Sequence, residues 1–296
     1  MTEPASRRSQ PRWRGLVALV LLVAGSACQA VSRPQPLESV PAESTGGPAP
    51  ASGQPSDPAG GPGQACQATV TVPADLEQRV ATVEAQTGTQ ISLSLVDPNR
   101  GPITAGSLSP TVAWSTSKVP LALTVVQDQG PQAQPGAVRS ALRESDNEAA
   151  DQLWRSLGPA PTAATRVTAV LRQAGDATTV VPATAARPPY SIFGQTIWST
   201  AEQARFMQHL PCLPGAELVI GHLQQVSSEQ RWGIAGRPGA TYKGGWGPAR
   251  QSGFEARQLG WYQGRDGSRT VVAMAVRAGT FPEATRVLNL LAGQLP

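Results

Sequence analysis

Ala113-Trp114-Ser115-Thr116-Ser117-Lys118-Val119-Pro120-Leu121 holds one of only two lysines in the chain. Lysine and arginine together number 24, so 22 positive side chains are arginine, and the second lysine is Lys243. Arginine stays protonated at any pH a protein meets, whereas a lysine loses its proton when its surroundings favour the neutral amine. A lysine three residues after a serine reads as a nucleophile with its base, Ser115 giving up a proton that Lys118 takes. A helix from Ser115 to Val126 places positions i and i+3 on one face. Its first turn offers unpaired N–H groups to developing negative charge, and Pro120 lies early enough to be tolerated. Alone, the same spacing is equally a plain helix start.

Two further short motifs follow. Ser145-Asp146-Asn147 precedes Glu148-Ala149-Ala150-Asp151-Gln152-Leu153-Trp154, which reads as helix, so the motif also fits a simple N-cap. Tyr242-Lys243-Gly244-Gly245-Trp246-Gly247 reads as a lysine at a strand end followed by glycines that let a ligand backbone approach. It fits a glycine-rich turn as well.

The pattern around these motifs is that of one folded domain over residues 65–296. Leu76, Val80 and Val83 fall at helical spacing within Ala74–Gln86, and Ile91-Ser92-Leu93-Ser94-Leu95 alternates as a half-buried strand does. Asp97-Pro98-Asn99-Arg100-Gly101 is a turn, and Ile103–Ser107 a partner strand. A mostly helical stretch runs from Ser115 to about Leu210, interrupted by a Pro- and Thr-rich loop at Thr178–Tyr190. Strands return at Ala240–Lys243, Phe254–Gln263 and Arg269–Arg277, and an amphipathic helix at Pro282–Leu295 closes the chain. That order brings the two ends together around one antiparallel sheet.

Taken in order, the three stand as S-x-x-K, S-D-N and K-[T/S]-G, the last with Gly244 at its middle position, and their conjunction resembles the serine penicillin-recognising enzymes: the penicillin-binding proteins and especially the class A β-lactamases. Arg139–Ala150 is similar to that family's S-D-N region, and Leu171-Arg172-Gln173-Ala174-Gly175-Asp176 to the helix end before its omega loop. The resemblance runs from about Leu76 to the C-terminus. It implies an α/β (α+β) fold: a central antiparallel sheet of about five strands flanked by N- and C-terminal helices, with a helical subdomain beside it. It assigns Ser115 as the acylated nucleophile, Lys118 as proton acceptor and Ser145 as proton relay to the leaving group. Asn147 would orient substrate and lysine. Lys243, followed by Gly244 and Gly245, would bring positive charge to a substrate carboxylate. The N–H groups of Ser115 and Trp246 would form the oxyanion hole. Repulsion between the two ammonium groups is expected to lower the Lys118 pKa.

Three departures qualify this. Class A β-lactamases activate the water that clears the acyl-enzyme with an omega-loop glutamate, yet no Asp or Glu lies between Asp176 and Glu202, and Gln195 is the nearest polar group for a water. Gly244 stands where the family carries a hydroxyl, and such a bond to a charged group is worth about 1.5–3 kcal/mol. Only 30 positions separate Ser115 from Ser145, so the helical subdomain is shortened. These features leave two readings: a hydrolase acting on a peptidoglycan-type peptide or a small ester or amide with poor β-lactam turnover, or a binding module on the same fold that recognises wall fragments or a partner protein.

Residues 1–27 read as an export signal. Arg7, Arg8, Arg12 and Arg14 precede an apolar stretch from Leu16 to Ala24 that is too short to span a bilayer. Gly25-Ser26-Ala27-Cys28 resembles a lipobox, making Cys28 the expected lipidation site and the membrane an expected partner. The segment 28–64 is a Pro-, Gly- and Ser-rich linker with too few large apolar residues to fold. With Cys28 lipidated, Cys66 and Cys212 remain as an even pair in an oxidising compartment and are expected to form a disulfide. Residues 1–27 hold four arginines and one glutamate, so the net charge of +4 falls to about +1 without them. No basic patch for nucleic acid is left. His209 and His222, the only histidines, lie in no metal motif, and no G-x-S-x-G elbow, phosphate loop or cofactor signature is present.

Overall fold

The computed structural model describes residues 72–264 and 266–296. The expected signal, the linker, Cys28 and Cys66 lie outside the described residues.

Helix α1 (Leu76–Thr87) buries Leu76, Val80 and Val83 and ends at Gly88, which adopts φ 65° and donates to the Glu84 carbonyl, the usual left-handed stop. Strands β1 (Gln90–Asp97) and β2 (Gly101–Ala105) form a hairpin. Its partner strand begins and ends two residues earlier than the sequence pattern indicated. The short β3 (Thr111–Val112) leads through a 3-10 turn, Trp114–Ser117, into α2 (Lys118–Gln129). Helices α3 (Pro135–Arg143), α4 (Asn147–Ser156) and α5 (Ala160–Gln173) follow. After a long loop come β4 (Ile197–Trp198), α6 (Thr200–His209) and α7 (Ala216–Leu223). The chain finishes with β5 (Thr241–Pro248), β6 (Phe254–Gln263), β7 (Arg269–Ala278) and α8 (Phe281–Gln294).

The main sheet has five strands in the order β2-β1-β7-β6-β5, every pair antiparallel, while β3 and β4 form a separate two-stranded ribbon. Ile91, Leu93 and Leu95 of β1 join Val287, Leu288 and Leu291 of α8 in one core. Leu259, Trp261, Val271 and Ala273 face the opposite core with α2 to α7. Each fully buried Val, Leu or Ile side chain among these contributes roughly 1.5–3 kcal/mol over its exposed state. The alternation in β1 marks two chemistries rather than a wet face. Ser92 and Ser94 are buried too, and both hydroxyls bond Thr200 Oγ1 of α6 at 2.7 and 2.8 Å, satisfying polar groups that burial would otherwise penalise.

Two local expectations need correction. Lys243 is not at a strand end: β5 continues through the glycines to Pro248, because Gly244 to Gly247 pair with β6. Helix α7 was not read from the sequence, since Leu210–Gly215 holds two prolines and a glycine that obscured the period. Only α3 intervenes between α2 and Ser145, which is how the helical subdomain is shortened.

Candidate active site

Ser115 sits on the 3-10 turn rather than on the α-helix itself, and Lys118 is the first residue of α2. The turn is strained: Trp114 holds φ 50°, a conformation a bulky residue adopts only where its surroundings compel it. Hydroxyls tie the turn down, Thr116 Oγ1 donating to the Ala113 carbonyl at 2.5 Å and Ser117 Oγ to the Trp114 carbonyl at 2.6 Å. Behind it, the fully buried Arg257 of β6 donates through Nη1 to the carbonyls of Val112 (2.6 Å) and Thr111 (3.1 Å), and through Nη2 to that of Trp198 (2.7 Å). It thereby holds the β3–β4 ribbon that delivers Ser115. Burial brings the Arg257 pKa down to about 10, so it stays protonated near neutrality. In front, β5 approaches so closely that a Cβ on Gly245 would come within 2.9 Å of the Ser115 and Thr116 amide nitrogens. Only glycine admits that approach.

The second motif divides its labour. Asp146 caps α4, its carboxylate accepting from the Glu148 and Ala149 amides at 2.8 and 3.2 Å. Its neighbours Ser145, at φ 60°, and Asn147 instead meet the lysines. Cap and site are therefore built from different residues of one tripeptide. Lys118 Nζ donates to the Ser145 carbonyl and to Asn147 Oδ1 (2.8 Å), with Ser145 Oγ farther off at 3.5 Å. Lys243 Nζ donates to Ser145 Oγ (2.9 Å), Gln230 Oε1 (2.6 Å) and the Gly244 carbonyl (2.9 Å). Ser145 Oγ thus accepts from Lys243, and its own proton remains free to be given away.

Burial pushes the Lys118 pKa down to about 7, opposed by the nearby carboxylates Asp146 and Asp151. The expected repulsion falls mainly on the other lysine: Lys243, fully buried, is held well below its ordinary value by burial first and by Lys118 second. Desolvation, not the paired charges, makes Lys118 a usable base.

A cavity of about 470 Å³ opens over these groups, a size that suits a small ligand. Ser115, Lys118, Ser145 and Asn147 line it, together with Trp114, Tyr190, Phe193, Trp246, Phe254 and Asp151. Lys243, Gly244 and Gly245 lie behind this surface, and Lys243 is 0% exposed. A Cβ at Gly244 would fall 2.6 Å from Trp232 Cζ2, so the indole occupies the space a serine or threonine side chain would need. Gln195 is buried, its Oε1 accepting from the Arg187 amide (2.8 Å) and its Nε2 donating to the Tyr190 carbonyl (2.8 Å). It shapes the loop instead of reaching a water in the cavity.

No protein-family model matches the sequence, and neither does any curated protein. Solved structures do. A β-lactamase from Streptosporangium roseum superposes with a TM-score of 0.58 at 17% identity, over 75% of this chain and 97% of that one. A variant of the last common ancestor of Gram-negative bacteria class A β-lactamase gives 0.56 at 19%, over 74% and 96%. The chromosome-encoded β-lactamase of Vibrio parahaemolyticus gives 0.55 at 15%, over 73% and 96%. The chain has the class A β-lactamase fold.

Within that β-lactamase fold the structure gathers Ser115, Lys118, Ser145, Asn147 and Trp246 around one cavity and sets Lys243 directly behind Ser145. Four contributors escaped the sequence reading. Gln230 anchors Lys243 and is itself held through Nε2 to the Arg143 carbonyl at 3.0 Å. Arg257 and Trp232 act through long-range packing that no local pattern records. Asp151 did carry a signal, its i+4 spacing from Asn147 on α4.

Proposed function

We propose that this chain is an exported serine hydrolase that forms an acyl-enzyme at Ser115 with Lys118 as base. The observation that carries this is the hydrogen-bond geometry at Lys118. A neutral amine has two hydrogens and one lone pair, and two close acceptors, the Ser145 carbonyl and Asn147 Oδ1, take the hydrogens. The lone pair is left for the Ser115 proton. Ser115 Oγ then bonds to the substrate's carbonyl carbon, the bond to the leaving group breaks, and Ser145 gives that group a proton which Lys118 replaces. The backbone N–H groups of Ser115 and Trp246 are the proposed oxyanion donors, typically worth about 3–4 kcal/mol each.

The substrate we favour is an uncharged ester or amide with an aromatic or apolar acyl group, ahead of a carboxylate-terminated wall peptide or a penicillin. Aromatic side chains wall the cavity, Trp232 excludes a hydroxyl at position 244, and Lys243 Nζ is already engaged by Ser145, Gln230 and the Gly244 carbonyl. Turnover of β-lactams is slow because the loop between Asp176 and Glu202 holds no carboxylate. Two aryl esters of phenylacetic acid, differing only in a carboxylate on the leaving group, test this. The neutral ester is expected to acylate the protein about tenfold or more faster, the rate equivalent of one lost charged hydrogen bond. Equal rates, or preference for the anion, would overturn the substrate assignment.

The second reading, a binding module on this fold, is favoured by one feature: among the described residues the Ser115 hydroxyl has no hydrogen-bond partner, Lys118 being turned to Ser145 and Asn147. Export, lipidation at Cys28 and a Cys66–Cys212 disulfide complete the proposal and place the domain at the cell envelope. Peptide mapping of the non-reduced protein from membranes would show a lipid-modified Cys28 and a linked Cys66–Cys212 pair. Unmodified thiols at these positions would refute them.

A further inference from the structure

Among the described residues, Asp151 is the one carboxylate on the cavity wall. It projects from α4 one turn beyond Asn147, the residue that accepts from Lys118, so both belong to the helix face turned to the reacting groups. It is half-buried, and among the described residues no hydrogen bond or salt bridge engages its side chain. A carboxylate that lines a site beside a nucleophile, with no structural partner, has its lone pairs available to a water.

We propose that Asp151 is the general base of deacylation, reaching the Ser115 ester from α4. This rests on the acyl-enzyme reading above and adds the step that reading leaves without a base. Water held by Asp151 bonds through its oxygen to the ester carbonyl carbon, and one of its protons passes to the Asp151 carboxylate. The carbon–Oγ bond then breaks, Asp151 passes its proton to the neutral Lys118, and the ammonium so formed gives one to Ser115 Oγ. The product acid leaves, and no co-reactant beyond water is required. Partial burial raises the Asp151 carboxyl above its ordinary range, against the pull of Arg155 on the same helix and Lys118 on α2. The group is thereby a stronger base than an exposed aspartate once ionised.

The test follows adduct lifetime by intact mass on the full chain after a pulse of p-nitrophenyl phenylacetate, in wild type, D151N and D151E. In D151N the acyl adduct is expected to form and to persist about 100-fold longer, the size of a general-base contribution. In D151E the lifetime is expected to return to within tenfold of wild type, which a purely structural role would not produce. Adduct formation itself reports that each variant is folded. Equal lifetimes in wild type and D151N would overturn the role of Asp151 and leave the nucleophile assignment standing. No adduct on wild type would overturn the acyl-enzyme reading and the role of Asp151 together.

Discussion

At Lys118 burial and neighbouring charge pull in opposite directions, and burial wins. Asp146 and Asp151 favour the ammonium, yet desolvation sets the pKa at about 7, against 10.5 for an ordinary lysine. Below that value the amine carries a proton and cannot take one from Ser115. The acylation rate measured against pH is therefore expected to rise through about 7 to a plateau, and K118A should lose both rate and titration. A flat profile in wild type would remove Lys118 as the base. The same shift bears on stability. Between about 7 and 10.5 the unfolded chain holds a proton at this position that the folded chain has released, so this group's contribution rises with pH across that window. Gly244 shows residue-scale causation of another kind. Its bare Cα reads from the sequence as a lost hydrogen bond, whereas the structure gives the reason: the Trp232 ring fills that space.

At the scale of elements, the 3-10 turn bearing Ser115 is held from three directions, by the β3–β4 ribbon, by β5 and by α2. Arg257 is the link between the ribbon and the main sheet. Replacing it with methionine preserves most of the side-chain volume but leaves the carbonyls of Val112 and Trp198 without donors, at about 1–3 kcal/mol for each buried group. R257M is expected to lose roughly 3 kcal/mol or more in denaturant unfolding, and its surviving folded fraction to acylate more slowly than wild type. Unchanged stability and rate would show that the ribbon is positioned without it. Elements were legible from the sequence where they carried their own period or punctuation: α1, the β1–β2 hairpin, β6, β7 and α8. The ribbon was not, because two-residue strands have no period, and neither was α7, which follows Pro211, Pro214 and Gly215.

For the whole molecule, the sheet separates two cores, and the first and last described helices meet on one of them, where Arg79 of α1 donates to the Gln294 carbonyl at the end of α8. The reacting groups gather at the edge strand β5, where the helical block meets the sheet. This architecture was legible because helix, two strands, helices, three strands and helix permit one economical antiparallel closure. The lysine motifs were legible because arginine supplies every other cation. Which groups face the cavity was not. Lys243 lies behind Ser145, and Asp151 enters from α4, through packing between segments far apart in sequence.

The measurement that bears most directly on the account is the intact mass of wild type and S115A after exposure to p-nitrophenyl phenylacetate, with the modified peptide mapped. Both lysines lie in the site, so stray acylation of surface lysines is absent by composition. A single acyl group on Ser115 in wild type, and none on S115A, is the predicted result. No adduct on wild type, or the same adduct on S115A, would contradict the assignment of Ser115 as nucleophile and favour a binding module on this fold.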